Sequence, residues 1–228
     1  MRTMFNLAKA LAVLSALLSL CSNTAASVVY DNSTYDLNQI YFGGDGVEYG
    51  NQINLAGTDR IVTDFQFEYF LGAGASGDES VQLRFYSNDG PVITETASDG
   101  TTRQIQTPGT LLYTSPVLTL QTGNQTAEAL NFAVTVPNSF TWTVTFNGIS
   151  STETAGLRIY SPPAIGSSFD DFWQKNNGSW NTYLIDNGAT PANFAARVTA
   201  VPEPGTLALA LLAGLGWVGY LGLRRRSS

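Results

Sequence analysis

Seven residues, Phe140 to Phe146, read FTWTVTF, with large apolar side chains at the first, third, fifth and seventh places and threonine at every place between. Successive side chains of an extended strand point to opposite faces. This stretch therefore lays Phe140, Trp142, Val144 and Phe146 on one buried face and its threonines on the other. A helix, with its 3.6-residue period, would scatter the four around its surface. The alternation recurs. Ile61, Phe65, Phe67 and Tyr69 oppose Asp64, Gln66 and Glu68, while Val81, Leu83 and Phe85 alternate with Gln82, Arg84 and Tyr86. Leu130, Phe132, Val134 and Val136 alternate with Asn131, Ala133 and Thr135. Helical periodicity is almost absent.

Further strands are expected at Val28–Tyr30, Leu111–Leu120 with a break near Pro116, Leu157–Tyr160, Thr182–Ile185 and Phe194–Val198. Turn residues separate them, as in Asn88-Asp89-Gly90-Pro91, Ser98-Asp99-Gly100 and Thr107-Pro108-Gly109. About nine short strands of this kind predict an all-β fold, an antiparallel β-sandwich of jelly-roll type.

Chemistry narrows next. The chain has no histidine, which removes Ser-His-Asp and Cys-His nucleophilic sites and histidine-ligated metals. Its one cysteine, Cys21, lies near the start, so no disulfide is available to the body of the chain. Residues 27–200 hold six basic against 17 acidic side chains, a net of −11. Such a domain is a poor partner for nucleic acid, whose affinity rests on cationic phosphate contacts.

Both ends read as targeting segments. Residues 1–26 have a basic start (Arg2, Lys9), an apolar run from Ala10 to Leu20 and a small-residue end at Ala25-Ala26, the pattern of a signal peptide. An uncleaved anchor and a lipoprotein signal at Cys21 are the alternatives; the run is short for a span, and Leu20 is large for the residue before a lipidated cysteine. Gly205 to Leu223 carry no charge and are long enough for one transmembrane helix, with Arg224, Arg225 and Arg226 expected to stay on the cytoplasmic side. Residues 27–200 are then an extracytoplasmic domain.

Pro202-Glu203-Pro204, followed by that apolar segment and the three arginines, resembles the PEP-CTERM sorting signal of exopolysaccharide-producing Gram-negative bacteria. A plain anchor behind an accidental proline-rich stalk is the alternative. The resemblance makes residues 201–228 a sorting signal and implies an exosortase, a membrane-embedded cysteine protease or transpeptidase, as processing partner. It implies an inner-membrane-anchored precursor, released or transferred to the cell surface or extracellular matrix. Stretches such as GNQINLAGTDRIVTDFQFEYF (residues 50–70) and NFAARVTAVPEP (193–204) also resemble a recurring PEP-CTERM passenger of unassigned function. The expected role is a non-enzymatic surface or matrix protein of the biofilm, associated with exopolysaccharide.

The alternative is a carbohydrate-binding module. Phe169-Asp170-Asp171-Phe172-Trp173, with Trp180 and Tyr183 close behind and Asn176, Asn177 and Asn181 between, sets aromatic faces beside amides and carboxylates. Sugars need both, a ring to stack on and groups to bond hydroxyls. The candidate residues are Trp173, Trp180, Tyr183 and Asp171, although aromatic residues there can equally cap the core. No catalytic residue and no cofactor is expected. Calcium is the one metal with candidate ligands, at Asp45, Glu48, Asp78, Glu79 and Asp89, but Asp-Gly is first a turn signal.

Overall fold

The computed structural model describes residues 25–203, of which Ser27–Val201 form one compact unit. Its strands are β1 (Ser27–Asp31), β2 (Asp36–Tyr41), β3 (Glu48–Asn54), β4 (Ile61–Leu71), β5 (Ser80–Ser87), β6 (Val92–Thr96), β7 (Thr102–Gln106) and β8 (Leu111–Thr114). They continue as β9 (Leu118–Thr119), β10 (Gly123–Thr135), β11 (Ser139–Asn147), β12 (Ala155–Tyr160), β13 (Ser167–Ser168), β14 (Phe172–Asn176), β15 (Ser179–Tyr183) and β16 (Ala196–Val201). All pairings are antiparallel.

Two large sheets and the two-stranded β6–β7 ribbon hold these strands. In the first, β10 takes the whole of one edge of β4, while β16 and β12 divide the other edge, opposite Ile61–Phe67 and Tyr69–Leu71 respectively. β1 lies outside β16, and β2 outside β12. The second sheet runs β15-β14-β3-β11-β5-β8. Stripped of its additions, the pair reads β1-β16-β4-β10 over β3-β11-β5-β8, with the chain changing sheets at almost every connection. That is the strand order of a jelly roll, two Greek keys rolled together. The additions are β2, which pairs with β12, the short β9 beside β5, the β6–β7 hairpin inserted between β5 and β8, and the excursion β12–β15 between β11 and β16.

Rings fill the space between the sheets. Phe65 of the first sheet meets Phe85 and Trp142 of the second at 4.9 and 5.2 Å between centroids. Phe67 lies 6.2 Å from Trp142. Each is almost wholly buried, and burying one such side chain contributes about 1.5–3 kcal/mol. The core therefore needs no covalent staple.

Two bulges overturn details of the expected alternation. In β4, Ala200 and Thr199 of β16 pair with Val62 and Asp64, so Thr63 is an extra residue. Because the period is two, one extra residue exchanges the faces, and Val62 is buried where Ile61 was expected. In β10 the register slips between Leu130 and Val134, with Asn131 at φ 60°. Ala127 and Ala129 face inward before the slip, Phe132 and Val134 pack on the core after it, and Leu130, expected inside, is 52% exposed. Strands β2, β3, β6, β7 and β14 were not expected at all. β3 is the instructive one, since Asn51 sits between Tyr49 and Ile53 on its inner face. Asn51 Nδ2 donates to Asp171 O and Ala192 O, and its Oδ1 accepts from Phe194 N. A buried amide is tolerated because three loop groups answer it.

Candidate functional site

The Asn177-Gly178 turn, with φ of 49° and 82°, closes β14 and β15 into a tight hairpin. Its register separates the four sugar-binding candidates. Trp173 pairs with Thr182 and Lys175 with Trp180, so these residues share the outer face of the second sheet. Phe172 pairs with Tyr183, and Phe172 points into the core. Trp180 and Tyr183 therefore stand on opposite faces of β15. Tyr183 is 39% exposed, packs its ring 5.8 Å from Phe172 and accepts a 2.6 Å hydrogen bond from Asn176.

Trp173 is 1% exposed, so it offers no stacking surface. Its partner on β3 is Gly50, where an added Cβ would stand 2.0 Å from Trp142 O. Asp171 is also buried. Arg103 of β7 reaches it at 2.5 Å, bonds Glu95 of β6 through Nε, and lies 4.1 Å above the Phe169 ring. Glu95 and Arg103 are register partners on the hairpin. The group thus fastens the β6–β7 insertion to the segment before β14. Burial, aided by the Glu95 charge and opposed by Arg103, pushes the Asp171 carboxyl up to about 6. Glu95 Oε2 is buried without a partner among the described residues.

A second group forms on the same outer face, nearer the Asn177-Gly178 turn. Trp180, Lys175, Glu48, Thr145 and Gln82 lie in one cross-strand row from β15 to β5, with Arg84 and Thr143 in the next row. The rings of Tyr86 and Trp180, on strands with three others between them, meet edge to face at 5.4 Å. Strands about 4.8 Å apart would hold their backbones some 19 Å from each other, so both side chains lean inward over the row. Beneath them Glu48 Oε1 accepts from Tyr86 at 2.7 Å and from Thr143 at 2.9 Å. Arg84 stands 3.7 Å from Oε1 and Lys175 3.7 Å from Oε2. Lys175 Nζ also lies 5.1 Å from the Trp180 ring and 5.8 Å from Tyr86. Burial and the bond to Glu48 together raise the Tyr86 phenol well above its ordinary value, so it stays a donor. Of this group the sequence alone marks only Trp180 as a sugar contact; it reads Glu48 as a loop acid and calcium candidate and Tyr86 as the polar side of a strand.

The calcium candidates are engaged by turn and loop groups, apart from Glu48, which lies in β3. Asp45 caps Ile149 N, Glu79 accepts from Ser76 N and Gly77 N, Asp78 from Ser76 Oγ, and Asp89 from Thr110 N and Oγ1. Among the described residues no three acidic side chains are grouped to hold a metal ion. These carboxylates serve turns.

The sorting residues begin where the sandwich stops. β16 is inserted between β1 and β4 and ends at Val201. Pro202, which has no N–H to continue a ladder, follows at once, with Glu203 exposed. Pro204, the expected helix at 205–223, Arg224, Arg225, Arg226 and nearly all of the expected signal peptide lie outside the described residues. Residues 200–226 match the PEP-CTERM protein-sorting motif. The chain carries the PEP-CTERM sorting motif of an exosortase substrate. No curated protein and no solved structure matches it. The motif marks an exported PEP-CTERM protein, anchored at the membrane before cleavage and processed by an exosortase. Its first two residues, Ala200 and Val201, still belong to β16.

Proposed function

We propose that this PEP-CTERM protein is a non-enzymatic component of the cell surface or extracellular matrix, delivered there by exosortase processing and associated with exopolysaccharide in a biofilm. The observation that carries the reading is the junction at Val201, where a disulfide-free jelly roll passes into the sorting motif without a spacer. A domain joined in this way is cargo that keeps its fold when the motif is cut, because its last strand is already paired on both sides. The lack of histidine and the engagement of the loop acids in turns support a structural or binding role rather than hydrolysis.

The test is to express the chain in hosts with and without exosortase, then determine the mature C-terminus and the fraction outside the cell. The expected outcome is a shortened chain outside exosortase-bearing cells and a full-length, membrane-held chain in the others. Glu203→Ala should block the shortening. An identical C-terminus in both hosts overturns the sorting part, and hydrolysis of a polysaccharide by the purified protein overturns the non-enzymatic part.

A further inference from the structure

We infer that the outer face of the second sheet binds a polysaccharide chain at the Trp180, Lys175 and Glu48 end of its cross-strand row. This deepens the proposed association with exopolysaccharide and names the surface responsible. A pyranose ring presents an apolar C–H face and a rim of hydroxyls. Its binding site therefore needs an exposed aromatic plane next to fixed donors and acceptors.

The row supplies both. Trp180 sits at the rim, partly exposed, on the outermost strand. Glu48 is held from behind by the Tyr86 and Thr143 hydroxyls through Oε1. Its Oε2 keeps, among the described residues, only the 3.7 Å ion pair with Lys175. That oxygen is beyond hydrogen-bond distance of its partner and is oriented before any ligand arrives. Lys175 and Arg84 bring two of the six cations of residues 27–200 to this acid, in a domain that is otherwise strongly acidic. Farther along the row Arg84 donates to Thr145 and Gln82, and Gln82 donates to Ser115 O, so these groups brace the site from the side.

The alternative, that this group only covers the sheet as the Glu95–Arg103–Asp171 group does, fits less well. There the acids are buried and an oxygen is orphaned; here Lys175 and Trp180 remain accessible.

The test is an array of neutral β-glucan and polyuronate oligosaccharides, probed with the full chain in a detergent that carries no sugar. Binding to either class is expected. Trp180→Ala should weaken it about tenfold or more, as loss of an aromatic anchor does. Glu48→Gln, which keeps shape and removes charge, should weaken it less, and Tyr183→Ala, on the opposite face of the same strand, should leave it unchanged. If Trp180→Ala fails to keep the wild-type thermal transition, Trp180→Phe and Lys175→Gln replace it, with partial losses expected. Binding of the neutral class assigns the affinity to stacking; preference for polyuronate that is lost in Lys175→Gln assigns it to the cations. No binding to either class, or equal losses in Trp180→Ala and Tyr183→Ala, overturns the inference. Neither result depends on export, so the exosortase reading stands or falls separately.

Discussion

The outer face of the second sheet carries two clusters built from nearly the same materials. At one end Arg103 lies between Glu95 and Asp171 and over Phe169; at the other, Lys175 and Arg84 flank Glu48 beneath Trp180 and Tyr86. What separates them is access. In the first, the Glu95 and Asp171 side chains are 1% and 7% accessible and share one cation, and Glu95 Oε2 has no partner among the described residues. In the second, Glu48 is 12% accessible, has two hydroxyl donors and two cations, and lies beside the partly exposed Trp180 and Lys175. Similar residues therefore make a clamp in one place and a surface ready for a ligand in the other, and burial decides which.

The contrast breaks most readily at Arg103. Replacing it with alanine leaves Glu95 and Asp171 buried beside each other without a cation. Removing one partner of a buried pair costs about 3–5 kcal/mol. Since 28% of the Arg103 side chain is still accessible, solvent screens part of this, and a loss of about 2–3 kcal/mol is expected. In a domain of this size that lowers the thermal midpoint by roughly 5–10 °C. Denaturant or thermal unfolding measures it. A loss below about 0.5 kcal/mol would remove the clamp from the comparison.

A smaller effect sharpens the comparison through pH. The Asp171 carboxyl is raised to about 6, so the folded state holds its proton more tightly than the unfolded chain, where the ordinary value is 3.8. Between those values the folded state binds more protons, and this group's contribution to stability falls as pH rises from about 4 to 6. Above 6 its full cost is present. Glu153 acts in a different window: its carboxyl is lowered to about 2 by Ser150, so its contribution is complete above 4.5 and is lost as pH falls through 2. The net negative charge of the domain adds its own pH dependence, so the readout is a difference. Asp171→Asn should gain stability relative to wild type progressively as pH rises from 4 to 6, while a difference that does not change with pH rules Asp171 out.

How much of this was legible in the sequence follows from what each element depends on. β11 and β5 were plain, because their alternation is local and uninterrupted. β4 was placed correctly and β10 only in its second half, from Leu130 on, and Ile61 and Leu130 were turned to the wrong side, since one inserted residue in a strand leaves no mark in composition. β3 was missed because Gly50 and Asn51 look like loop residues. Their presence makes sense only beside Trp142 O and the loop carbonyls they meet. The jelly-roll class could be read from many short strands and turns, whereas the pairing of β1 with β16 is long-range. The site fared similarly. Trp180 was visible as an aromatic among amides, but Glu48, Tyr86 and Lys175 come together only through the order β15-β14-β3-β11-β5. Trp173 and Asp171 looked equally suitable, and only burial withdrew them. The sorting motif was the most legible part because it is contiguous.

The smallest effect is expected in the open cluster. Lys175→Ala removes a 3.7 Å ion pair with Glu48 and a cation standing between two rings. Its side chain is 33% accessible, and exposed pairs of this kind contribute about 0–1 kcal/mol. A double-mutant cycle of Lys175→Ala with Glu48→Gln should give a coupling below about 1 kcal/mol, against a larger one for Arg103→Ala with Asp171→Asn. The near-neutrality has a physical reason. Glu48 keeps the Tyr86 and Thr143 hydroxyls when the lysine is lost, so no buried charge is orphaned, whereas Asp171 would be left facing Glu95. If the two couplings prove equal, Lys175 is a clamp as well, and the accessibility of Trp180 must be explained by something other than a ligand.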